Sequence, residues 1–121
     1  MWYCAHGIFY FKVEHQETYL VQENVYLIDA GNEKDALQQA EAICRGNEDL
    51  SEDGHLELNG EKAQYLFAGI RKLIEIEHDP ETARGHLRSG VEVTYSELEV
   101  DTMEEVRGLA KGAFVNVLYR E

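Results

Sequence analysis

Trp2, Cys4, His6 and Tyr10 alternate along the first apolar stretch of the chain, so as a strand they project from one face. Glu23 and Arg71 fall midway along two further strand-like stretches, where they can share that face. An imidazole, a carboxylate and a guanidinium among aromatic rings could bind a small acid or a peptide carboxylate. The same mixture of Tyr, Trp and Arg on a half-apolar sheet face also describes a homodimer contact, the preferred reading. Cys4 and His6 lie side by side on that face, but two ligands do not make a metal site.

Other chemistry has less support. Gly69, Gly85 and Gly90 are too scattered to cradle a phosphate, and no paired-Cys or His-Glu-His spacing offers a metal centre. The 24 acidic side chains are too numerous for any two to be singled out as a catalytic pair. Asp49, Ser51, Asp53, Gly54 and Leu56 follow the opening of a calcium loop. The pattern then fails, because Gly60 stands where a bidentate Glu is required. His78, Asp79 and His86 lie in a long basic connection that reads as a surface loop, with Arg84 and Arg88 beside them. Cys4 and Cys44 fall in a strand and a helix and read as reduced, buried thiols.

The elements that must position these residues can be read from periodicity. Residues 56–76 carry the strongest turn signal, Asn59-Gly60, whose two residues tolerate positive φ and suit a two-residue hairpin. Leu66, Ile70, Leu73 and Ile74 would also suit a helix, but Leu56 and Leu58 before the turn and Ala63, Tyr65 and Phe67 after it alternate. The reading is a strand over 63–77, bulged near Gly69. Strands are expected over 2–13 and 19–30, the latter central and interrupted by the polar run Gln22, Glu23 and Asn24. Asn32 caps a helix over 33–45 with the stripe Ala36, Leu37, Ala40, Ile43 and Cys44. A strand over 91–100 carries a bulge near Ser96 and Glu97. Thr102 and Glu105 form a capping box for a helix to 111, and 114–119 is the last strand. The result is one α+β domain over 1–121 in the order ββαβββαβ. Its mostly antiparallel sheet carries both helices on one face, ferredoxin-like or a variant of it.

The net charge of −13 opposes nucleic acid and anionic membrane surfaces as partners. It serves solubility, and it can also present a docking surface to a basic protein. No apolar run is long enough to span a bilayer, and the start lacks a basic leader, so the expected location is cytoplasmic. WYCAH at 2–6, ENVYLI at 23–28, FAGIRKL at 67–73 and TYSELEV at 94–100 resemble a small bacterial family known only as a domain of unknown function. Gly7 and Cys4 stand where the resemblance leads one to expect larger aliphatic residues. The resemblance implies one domain and no assigned reaction, cofactor or partner. The expectation is a non-enzymatic binding module acting as a homodimer, one version being an acidic antagonist that blocks a basic protein partner. The alternative is a small-molecule sensor or enzyme using His6, Glu23 and Arg71 on the face that also carries Trp2 and Tyr10. No cofactor or metal is called for under either.

Overall fold

The computed structural model describes residues 1–76, 89–90 and 92–120. The elements are β1 (Trp2–Val13), β2 (Tyr19–Asp29), α1 (Glu33–Gly46), β3 (Glu57–Leu58), β4 (Glu61–Ile76), β5 (Glu92–Val100), α2 (Met103–Ala110) and β6 (Leu118–Arg120). All described neighbours pair antiparallel, in the order β3-β4-β1-β2-β5-β6. The α+β class, the mostly antiparallel sheet and the order ββαβββαβ are those expected.

Local chemistry accounts for most boundaries. Asn59 and Gly60 adopt φ of 53° and 82°, the left-handed pair that closes the β3–β4 hairpin with matching twist. Asn32 opens α1 by accepting the Asp35 amide at 2.9 Å, and Thr102 and Glu105 complete a reciprocal capping box on α2. In β4 the pairing with β1 shifts twice, between His6/Gly7 and between Ile8/Phe9, so Arg71 and Ala68 have no opposite partner. Gly69 lies between these two bulges, where a Cβ would come within 3.2 Å of Ala110 Cβ; its bare backbone lets α2 seat closely.

The helices do not share a face. The β1–β2 pairing runs without a register break, so alternate residues of both strands look to opposite sides. Tyr3, Ala5 and Phe9 join Tyr26 and Ile28 against Ala36, Ala40 and Cys44 of α1. Ile8 joins Val21, Leu98 and Val100 against Val106, Leu109 and Ala110 of α2. The expectation of one helical face gives way because the second face carries its own apolar layer. Ile8 and Val21 are wholly buried there, and each is worth roughly 1.5–3 kcal/mol once removed from water.

Two smaller expectations are also corrected. The β2–β5 register breaks between Val25 and Tyr26, opposite Val93, and not near Ser96 and Glu97. The change in apolar parity along β5 arises because Leu98 and Val100 are buried in the α2 core while Val93 and Tyr95 are exposed. The last strand is only Leu118–Arg120, since Val115 and Val117 pack against the α2 core and leave the ladder.

Candidate functional site

Two polar clusters lie on opposite faces of the sheet. On the α2 side, β1 supplies His6, β2 supplies Glu23 and the β4 bulge supplies Arg71. Freed from register, Arg71 reaches across β1 to grip Glu23 with both arms, Nε donating to Oε2 at 2.7 Å and Nη2 to Oε1 at 3.1 Å. Glu23 is only 14% exposed at its side chain, so the pair is largely withdrawn from water. His6 Nδ1 lies 3.4 Å from Glu23 Oε2 but, among the described residues, is buried without a formed hydrogen bond. Burial lowers the His6 pKa from 6.5; Glu23 opposes that shift, and Lys72 and Arg71 add to it. The ring is therefore neutral at pH 7.

Three of the sequence-predicted residues, His6, Glu23 and Arg71, thus come together. Tyr10 shares their face but packs edge-on against Tyr19, ring centroids 6.4 Å apart, under α2. Trp2 sits half-buried at the far end of the same strand. Chemically the trio is closed, since Glu23 and Arg71 satisfy each other's charge and leave neither carboxylate nor guanidinium to recruit an acid. Burial also raises the Cys4 pKa, so the neighbouring sulfur is a thiol.

The second cluster was not legible in the sequence. On the α1 side, Gln22, Asn24 and Tyr26 of β2, Asn47 after α1 and Tyr65 of β4 line the floor and wall of a cleft of about 550 Å³. Phe11, Asp49, Leu56, Gly90 and Glu92 complete its lining. Asn24 Nδ2 donates to Tyr65 Oη at 2.9 Å and Tyr26 Oη at 3.3 Å. Asn47 Nδ2 donates to the same Tyr26 oxygen at 3.1 Å, and the Tyr65 hydroxyl donates to Gln22 Oε1 at 2.8 Å. Asn24 is 5% exposed, yet among the described residues its Oδ1 finds no hydrogen-bond donor. Burial first, and Glu92 among lesser causes, raises the pKa of both phenols, which stay protonated. The sequence signal for this cleft was the polar run at 22–24, but its members alternate, so Glu23 joins one cluster and its two neighbours the other.

The acidic loop after α1 is closed by His55. Its Nε2 meets Asp49 Oδ2 at 2.7 Å and its Nδ1 contacts Asp53 Oδ1. The two carboxylates raise the His55 pKa, Asp53 foremost, and His55 lowers theirs. The carboxylates that opened the calcium-like pattern are thus taken by an imidazole. Among the described residues no three His, Cys, Asp or Glu side chains gather as a metal site, and no helix is long and apolar enough to cross a membrane. His78, Asp79, Arg84, His86 and Arg88 lie outside the described residues. Cys4 and Cys44 are free thiols on opposite faces of the sheet.

Residues 2–104 match a family described as a domain of unknown function, DUF4288. No curated protein and no solved structure matches the chain.

Proposed function

For a chain that belongs to the DUF4288 family of domains of unknown function, we propose a non-enzymatic binding module that engages a basic protein partner. The carrying observation is the half of the α1-side sheet that α1 leaves uncovered. There Glu92 and Glu97 of β5 stand beside the cleft with Tyr95 58% exposed between them, and Glu99 further along is paired with Arg120 at 3.4 Å. An aromatic surface ringed by carboxylates complements a basic segment, and the −13 charge steers such a segment toward it. The dimer belongs to the same reading. On the other face α2 leaves Cys4 and Ile74 accessible, Ile74 at 46%, and a second copy would pack there.

The alternative, a sensor or enzyme working through His6, Glu23 and Arg71, draws less support because that ion pair is spent internally. The test is retention from host extract on the immobilised protein, followed by reconstitution with the purified partner. A partner with a surplus of Lys and Arg should bind at low salt, release by about 0.5 M salt, and fail to bind the Glu97→Lys/Glu99→Lys variant. A partner that is acidic, or that binds the charge-reversed variant equally well, sinks the reading.

A further inference from the structure

We propose that the Asn24–Tyr26–Tyr65 cleft is a binding site for a guanidinium or ammonium group, supplied by a basic side chain of the partner. This deepens the interaction reading above and rests on it for the source of the cation, though not for the cleft's chemistry. The volume of about 550 Å³ lies within the roughly 300–1,000 Å³ typical of small-ligand sites. Among the described residues the lining carries two carboxylates, Asp49 and Glu92, and no Lys, Arg or His. Although His55 offsets part of the charge of Asp49, Glu92 makes no ion pair among the described residues.

The floor points the same way. Asn24 Nδ2 is used twice, Tyr26 Oη accepts two hydrogen bonds and Tyr65 gives its proton to Gln22. Among the described residues Asn24 Oδ1 remains an acceptor without a donor, in a residue 5% exposed. A buried acceptor left empty is unfavourable, and a ligand N–H removes that penalty. Among the described residues an anion would meet Glu92 and that open carbonyl with no positive group to balance them. A cation finds an acceptor below, a carboxylate at the rim and aromatic carbon along Phe11 and Tyr65 for its alkyl stem.

The experiment titrates the purified full chain with ethylguanidinium, with urea as a neutral isostere, with acetate, and with acetyl-Gly-Arg-Gly-amide. It is followed by NMR of the Asn24 and Asn47 side-chain amides. Ethylguanidinium should shift both amides saturably, urea at least tenfold more weakly and acetate not at all. The arginine peptide should bind at least tenfold more tightly than the free cation. Glu92→Lys, an exposed change compatible with folding, should abolish the response, while Glu104→Lys on the exposed surface of α2 should leave it intact. No saturable shift with ethylguanidinium, or equal responses from the two variants, overturns the site. A free cation that binds as tightly as the peptide overturns the side-chain source. The probes contain no partner, so captured basic protein without any probe shift refutes the cleft and spares the interaction module.

Discussion

Glu23 and Arg71 each hold the other's charge in a partly dehydrated place, and removal of one strands the other. Glu23→Gln and Arg71→Met should each lower unfolding stability by about 2–4 kcal/mol in chemical denaturation, while Glu23→Leu/Arg71→Met loses less than the sum. Single variants within about 0.5 kcal/mol of the parent would reduce the pair to a surface contact. His6 is the trio's pH-sensitive member. Its folded pKa is below 6.5, so the unfolded chain takes up the proton first as pH falls. The stability that neutral His6 contributes is present above pH 6.5 and is lost as pH drops through the lowered folded value. His55 works in the opposite sense, because its raised pKa adds stability below pH 6.5 that is lost at higher pH. Denaturation curves of His6→Gln against the parent, between pH 7.5 and 5, isolate the first effect. The parent should lose more stability than the variant on acidification, and identical slopes would remove His6 from the account.

At the scale of elements, β1 and α1 touch through a missing side chain. A Cβ on Gly7 would lie 2.8 Å from Cys44 Sγ, which is buried and has nowhere to turn. Gly7→Ala should cost about 1–3 kcal/mol, and most of that loss should vanish in a Cys44→Ala background, where the sulfur is gone. Equal costs in both backgrounds would refute the contact. The same packing pushes the Cys44 thiol up to about 12, so it resists alkylation in the folded protein. A small residue at 7 thus makes room for a sulfur at 44. What was legible was local. Asn59-Gly60 announced its hairpin through backbone freedom alone, and Asn32 and Thr102 announced their helices through side chains three residues from their partners. The sidedness of the helices was not local. It depends on Ile8, Val21 and Leu98 meeting across three strands, and β1 is apolar on both faces, so either face could have been taken as the core. The cleft depends on Tyr65 reaching Asn24 from 41 positions away, which no spacing within either strand encodes.

For the whole molecule, 24 acidic against 11 basic side chains leave an unscreened self-repulsion that opposes compaction. Salt should therefore stabilise the chain. Raising sodium chloride from about 0.05 to 0.5 M should gain about 1 kcal/mol, a rise in Tm of roughly 3–6 °C, readable by calorimetry. The proposed dimer makes a separate claim: Ile74→Glu should shift the sedimentation coefficient from two copies to one, and a parent that sediments as a single copy at every concentration ends that claim.

The hairpin of β1 and β2 places wholly buried side chains in both apolar layers, Phe9 and Ile28 in one and Ile8 and Val21 in the other. Loosening either flank leaves that ribbon still sealed from the other side, so its amides open only when both flanks let go together. Deuterium uptake should consequently be slowest at Ala5, Ile8, Phe9, Val21 and Ile28. The ribbon joins neighbours in the chain, with little loop entropy to overcome, so it is also the natural first structure on the route to the native state.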